Sequence, residues 1–506
     1  MSRQERRRDE FEARKKRKKE SRRALRAQRA AEGLTHPVTA TLPNSKSPFA
    51  NVQEERSARQ DAVIEQQRVF QVQLPRLLRR LGKIPDPRNP KTTKHKLTIV
   101  LLLGILSFVY QMASRREANR RMTRPAFLES LQQFFPELET LPHQDTLNRL
   151  LSKIDAEQIE ETHLDMVRNL IRKKKFSRYL IDNCYPIAMD GTQKMVRSEG
   201  ISEQWLEREV GKGENKKKQY YVYVLEANLV FQNGMVIPLM SEILDYTEGD
   251  ALKDKQDCEQ KAFHRLARRL KKNFPRLRIM ILLDGLFPNG PVLELCRKYK
   301  WQYMIVLQDG SLPSVWEEFH GLKTLQAENQ FNQPWENRRQ SFRWVNQIEY
   351  DWGPNGKNLQ TVHVVVCWES WEEVDNKTGK IVTKHSKHAW LSSQPLHRKN
   401  VHERCNLAAR YRWGIESGIL VEKRHGYQYE HAFSYDWNAM KGYHYLMRLG
   451  HALNVLAHFS SALIKRVREM GVRGFIDFMR ETMAGHWLDP EKTKKRLAAP
   501  FQLRLE

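Results

Sequence analysis

Along the chain the spacing of apolar positions changes character three times. Residues 1 to about 60 carry almost no apolar periodicity. From about 62 to 178 apolar residues recur at helical spacing, in VFQVQLPRLLRRL, LTIVLLLGILSFVYQMA, AFLESLQQFF and HLDMVRNLIRKKK, broken by turn signals such as IPDPRNP. After Asn183 the pattern becomes strand-like. YPIAMDG is an apolar run ending in an acid, and KQYYVYVLEANLVF and MVIPLMSEIL flank QNG, a hairpin turn. A long amphipathic helix (CEQKAFHRLARRLKKNF), the strand RIMILLDG, the helix PVLELCRKY and the strand WQYMIVLQDG follow. Three strands, helix, strand, helix, strand predicts a mixed sheet with helices packed against it. Between about 311 and 394 the helical period disappears, and alternating stretches around PNGKN read as antiparallel strands crowded with Trp. Helix resumes near 400. The pattern therefore predicts an α/β domain holding an all-β insertion and preceded by a helical domain. Its divisions are a disordered basic arm (1–60), a helical domain (61–180) and a first α/β part (181–310). The β-rich insertion (311–395), a second α/β part (396–465) and a helical tail (466–506) follow.

Composition sharpens this picture in one respect. The 506 residues include 87 Lys+Arg against 60 Asp+Glu, a formal charge of +27. Such an excess attracts polyanions, with nucleic acid the favoured candidate; an anionic membrane surface or plain solubility is the alternative, and charge alone does not decide between them. Forty per cent hydrophobic residues, with 12 Trp and 20 Phe, exclude global disorder. The five cysteines form no C-x2-C pair, which argues against a disulfide scaffold or a Cys-rich zinc site. His402 and Cys405 have the spacing of metal ligands, with His388 and His397 upstream, but surface histidines in a basic loop are the simpler reading. The run from Leu97 to Ala113 is short of the ~20 residues that span a bilayer and reads as a buried helix. No secretory signal opens the chain, and the expected location is the cytoplasm. Arg115, Arg116, Arg120 and Arg121 are expected to cluster on one helical face. With the helix expected from about Thr146 they suit a DNA-reading helix-turn-helix or ordinary helical packing.

The candidate chemistry lies in three acids. Asp190 and Asp284 each end an apolar run just before Gly, where an open α/β sheet places ligands, although Asp-Gly after a strand is also a common turn. In NLAARYRWGIESGILVEKRHGYQYEH, Arg412 and Glu416 are four apart, Lys423 is seven beyond Glu416 and Tyr427 four beyond Lys423. On one continuous helix these share a face, though an i,i+4 Arg–Glu pair alone is ordinary.

The order AMDGT, LLDGLFPN, RYRWGIESGILVEK resembles the DDE catalytic domain of bacterial insertion-sequence transposases that carry a β-rich insertion and the helix signature Y-x2-R-x3-E-x6-K. Arg412, Glu416 and Lys423 match that signature; its Tyr falls on Ala409 here. The segment IPDPRNP…KHKLTIVLLLGIL also resembles the region preceding that domain. The resemblance spans roughly residues 80 to 460. It implies a ribonuclease-H-like fold, catalytic and metal-holding roles for Asp190, Asp284 and Glu416, and two Mg2+ ions, with Mn2+ as substitute. It implies phosphate contacts by Arg412 and Lys423, and stacking of an insertion Trp on a flipped base. The implied partners are transposon ends and target DNA, gripped by a homodimer or larger assembly in the bacterial cytoplasm at the nucleoid. A nuclease of the same fold without strand transfer, and an idle transposase-derived DNA-binding protein, are the competing expectations.

Overall fold

The computed structural model describes residues 3–35, 47–246 and 257–506. Among them are fifteen α-helices and ten strands. The helices are α1 (Arg3–Ala31), α2 (Val52–Gln71), α3 (Leu74–Leu81), α4 (Leu97–Val109), α5 (Arg115–Met122), α6 (Pro125–Phe134), α7 (Gln144–Leu151) and α8 (Glu157–Arg172). Strands β1 (Tyr185–Arg197), β2 (Leu206–Val210), β3 (Lys217–Val230) and β4 (Val236–Ile243) precede α9 (Glu259–Asn273). Then come β5 (Ile279–Leu283), α10 (Gly290–Tyr299), β6 (Gln302–Val306) and α11 (Pro313–Leu325). The strands β7 (Gln330–Trp335), β8 (Arg338–Trp352), β9 (Asn358–Val374) and β10 (Ile381–Ser392) follow. The chain closes with α12 (Trp413–Arg424), α13 (Trp437–His458), α14 (Ile464–Ala484) and α15 (Pro490–Ala498). It divides into two compact units, one of residues 1–40 and 278–410, the other of residues 41–277 and 411–506.

In the larger unit β3 is the central strand. It pairs antiparallel with β1 on one edge; on the other its first half pairs with β2 and its second half with β4. The β3–β4 turn falls on QNG as the pattern predicts, with Gly234 at φ +85°, a conformation that suits a residue without Cβ. Helix α13 is buried along nearly its whole length and packs on α4, α7, α8 and β4. Helix α4, the most apolar segment, is buried from Val100 to Val109. Among the described residues no helix is long and apolar enough to cross a membrane. Helices α14 and α15 pack on α2 and α6, so the stretch expected as a tail belongs to this core. Between α6 and α7 lies a nine-residue connection, Phe135–His143. Helix α5 lies against α7, with Arg115 within 3.5 Å of Asp145, while Arg116, Arg120 and Arg121 are exposed.

In the smaller unit β5 and β6 are parallel, and the sheet continues antiparallel through β10, β9, β8 and β7. Two expectations change here. The stretch from 311 opens with α11, not a strand: Pro313 sits in its first turn, and Val315, Trp316 and Phe319 bury one face at helical spacing. The arm expected to be disordered over 1–60 is helical over Arg3–Ala31. Its Lys, Arg, Ala and Glu are good helix formers, no Gly or Pro interrupts them, and Leu25 and Arg29 are buried against β9. The helical body itself begins at Val52, because Asn51 caps α2 by accepting from the Glu54 amide.

Candidate active site

Asp190 lies in the middle of β1, not at its end, because β1 continues to Arg197 in register with β3. Its Oδ1 accepts from the amide of Gly191 at 3.0 Å. Asp284, by contrast, follows the last residue of β5, and its Oδ1 accepts from the Leu286 amide at 2.9 Å in the tight turn that starts there. It belongs to the smaller unit; Asp190, Glu416, Arg412 and Lys423 belong to the larger.

The Glu416 segment is not one continuous α-helix. A π turn at Glu403–Ala408 and a 3-10 turn at Ala409–Arg412 precede α12. Helix α12 lies close on the β3–β4 hairpin: a Cβ placed at Gly418 would come within 3.0 Å of Val236. That seating brings Arg412 to both acids of the unit. Its Nη2 donates to Glu416 Oε1 at 2.8 Å, and its Nη1 lies 4.0 Å from Asp190 Oδ2. The arginine is buried, and its Nε and Nη1 have no hydrogen-bond partner. Such orphaned donors are costly unless an anionic group approaches them. Trp413 next to it is 62% exposed, with the Arg412 guanidinium 5.2 Å from its ring centre.

A further acid stands here. The Glu259 carboxyl, on the first residue of α9, lies against Gly191: a Cβ at 191 would come within 2.6 Å of its Cδ and of the Tyr223 ring. Tyr223 is hydrogen-bonded to Glu259; burial and the two carboxylates, Glu259 and Asp190, push its hydroxyl well above the usual phenol range. Asp190 and Glu416 thus meet at Arg412 with two negative charges to one positive, while Glu259 stands on the far side of Gly191 against Tyr223. Sequence reading passed over Glu259 because an acid in a helix's first turn is commonplace.

Below the site, α12 is pinned by a buried ionic network. Arg448 of α13 donates to both oxygens of Glu422, at 3.2 and 3.3 Å, lies 3.1 Å from Glu226 and donates to Asn228 at 2.5 Å. His451 Nδ1 is 2.7 Å from Glu422. Burial pushes Glu422 upward, but Arg448 and His451 outweigh it and hold the carboxylate below its ordinary value. Glu226, pushed up by burial against the pull of Arg448, stays above its own. Lys423 pairs with Glu430 at 3.0 Å. Helix α12 ends at Arg424, so Tyr427 does not share its face; it is buried and bonded to Asn454.

Within either unit, among the described residues, no three His, Cys, Asp or Glu side chains are grouped to hold a metal ion. His402 bonds to Gln333 and Asn406, and Cys405 is buried, so the pair is packing rather than a ligand set.

A family model described as DDE_Tnp_1-associated matches residues 78–167. The match spans α4 to α7 and parts of α3 and α8, the helices preceding β1, and suggests a DDE transposase family. No curated protein matches the chain.

Proposed function

We propose that the chain is a DNA transposase with a ribonuclease-H-like catalytic core. It would cut transposon ends and join the freed 3′-hydroxyl to target DNA. The observation carrying this is the gathering of Asp190 and Glu416, from distant parts of the sequence, on one buried guanidinium with unpaired donors. The transposase-associated match over the preceding helices supports it, as does the order β1, β2, β3, β4, α9, β5, α10, β6, in which the short β2 is added to three longer strands.

The acids suit a divalent cation. Carboxylate oxygens are hard donors, and around Arg412 they outnumber the positive charge. Asp190, Asp284 and Glu416 would hold Mg2+, or Mn2+, as a pair of ions. When bound, two such ions supply an acidified nucleophile and neutralise charge on the leaving oxygen. The chain's own groups do the rest. Arg412 orients Glu416 and keeps two N–H donors for a phosphate oxygen. Lys423 exchanges Glu430 for backbone phosphate. Trp413 offers an exposed ring on which a base stacks. In cleavage a water oxygen would bond to phosphorus as the P–O3′ bond breaks, leaving a 5′-phosphate and a 3′-hydroxyl; that hydroxyl oxygen would then bond to a target phosphorus and displace its 3′ oxygen. A homodimer or larger assembly in the bacterial cytoplasm would hold two ends together.

The test uses duplexes carrying the inverted repeats that flank the gene, supplied intact or pre-cut at the 3′ end, with Mg2+. Cleavage and strand transfer that are lost in Asp190→Ala, Asp284→Ala and Glu416→Ala each support the reading. Cleavage without transfer of the pre-cut end makes the protein a nuclease, and full activity in all three variants removes the acids from the chemistry.

A further inference from the structure

The smaller unit carries a basic surface that the catalytic reading does not use. Helix α1 is held on the β9–β10 hairpin by one stripe of side chains. Lys18 Nζ donates to Asn376 Oδ1 at 2.6 Å, Ser21 Oγ to the Gly379 carbonyl at 2.8 Å, and Arg29 to the Glu372 carbonyl; Leu25 between them is buried. The spacing 18, 21, 25, 29 is that of a single helical face. Beyond the end of α1, Glu32 pairs with Arg339 of β8, and the Thr35 amide donates to the Glu336 carbonyl at 3.0 Å.

Beside that face lies a second stripe. Lys15, Lys16, Lys19, Arg22, Arg23 and Arg26 are all exposed, and at about 100° per residue they fall within a sector of about 120°. Glu20 is the only acid between Arg14 and Arg29. Lys15 has a long, exposed pairing with Glu12 at 4.0 Å, of the kind worth little. From Lys15 to Arg26 the stripe runs about 16 Å, a length over which duplex DNA presents about ten phosphate charges. Lys377 and Lys380, exposed in the β9–β10 turn beneath, have the same sign.

We infer that α1 is a fixed phosphate-binding ridge, clamped to the β hairpin so that its cationic stripe tracks the backbone of duplex DNA. The inference rests on DNA being the substrate and adds where, outside the catalytic acids, the duplex is gripped. Clamping matters physically: a pre-formed, anchored helix binds without the ordering cost that a disordered polycation meets on contact. The contacts are to phosphate alone, so they raise affinity for every sequence alike.

The test is fluorescence anisotropy on a labelled duplex over a range of salt concentrations, using the full chain. Replacing Lys15, Lys19, Arg22 and Arg26 by Gln keeps the anchoring stripe intact. It is expected to flatten the slope of log affinity against log salt by about 3 to 4, at roughly 0.9 per contact. A second variant, Leu25→Gln with Asn376→Ala, leaves the charge of α1 unchanged but loosens its seat, and is expected to weaken binding three- to tenfold at physiological salt. Binding and slope equal to wild type in the four-Gln protein overturn the ridge; so does affinity for anionic vesicles that falls in that protein while duplex binding holds. Unchanged affinity in the loosened variant overturns the clamp. A wild-type chain that binds no duplex would instead remove the proposed function itself.

Discussion

Replacing Arg448 by Met leaves two carboxylates, Glu226 and Glu422, buried without their shared cation. In the native protein the guanidinium is 2% exposed and reaches Glu422 twice, Glu226 once and Asn228 once. Removing one partner of a buried pair costs about 3–5 kcal/mol, because the remaining charge is uncompensated. The expected loss for Arg448→Met at neutral pH is therefore of that order, and it falls on the contacts that seat α12. The loss must also depend on pH. Without Arg448 the folded-state pKa of each carboxylate rises above its unfolded value. The protonated fold is then favoured, so the stability it retains is present in mild acid and is lost as pH rises through the raised values. Hydrogen–deuterium exchange of peptides covering α12 and α13, at pH 5 and pH 8, reads this directly. The variant should exchange faster than wild type at both values, and by a much larger factor at pH 8. Adding Glu422→Gln to it should recover part of the protection. Protection within about tenfold of wild type at pH 8, roughly 1.4 kcal/mol, would refute the claim that this network holds the helix.

Three other outcomes are expected. Gly191→Ala drives a Cβ into Glu259 and Tyr223, an overpacking that costs about 1–3 kcal/mol and displaces Asp190; cleavage should fall with far less effect on DNA binding, and wild-type turnover would show the contact to be idle. Glu430→Gln frees Lys423 and should raise duplex affinity about two- to fivefold with a change in melting temperature of no more than about a degree, as suits a pair whose carboxylate is exposed to solvent. His163 is buried in α8, and burial pushes its pKa down to about 3. A depressed value stabilises the fold above the unfolded pKa, and the benefit drains as pH falls from about 6.5 to about 3, at about 1.4 kcal/mol per unit. His163→Leu should flatten acid unfolding in that window, and an unaltered acid transition would contradict it.

Much of the larger unit was readable because its signals are local. The QNG turn, the apolar run of β1 and the amphipathic α9 each announce themselves within a dozen or so residues, as does β5 in the smaller unit. The Arg412–Glu416 pair was readable for the same reason, since four residues on a helix must meet. What the sequence hid depends on partners distant along the chain. Helix α1 docks through Lys18, Ser21 and Arg29 with only Leu25 to mark an apolar face, so it resembles a solvated tail until β9 and β10 are in place. Glu422 reads as one more charge beside Lys423, although Arg448 makes it a buried anchor. Tyr427 sits at helical spacing from Lys423, yet α12 stops at Arg424 and the tyrosine turns into the core, with Gly426 at φ +101° permitting the bend.

The central claim is that Asp190, Asp284 and Glu416 share divalent cations. Mn2+ binding measured by isothermal titration on the wild type and on Asp190→Asn, Asp284→Asn and Glu416→Gln tests it without requiring the DNA substrate. Cooperating ligands predict that each substitution weakens binding at least tenfold, Asp284→Asn as much as Asp190→Asn. Wild-type Mn2+ affinity in Asp284→Asn would contradict the account.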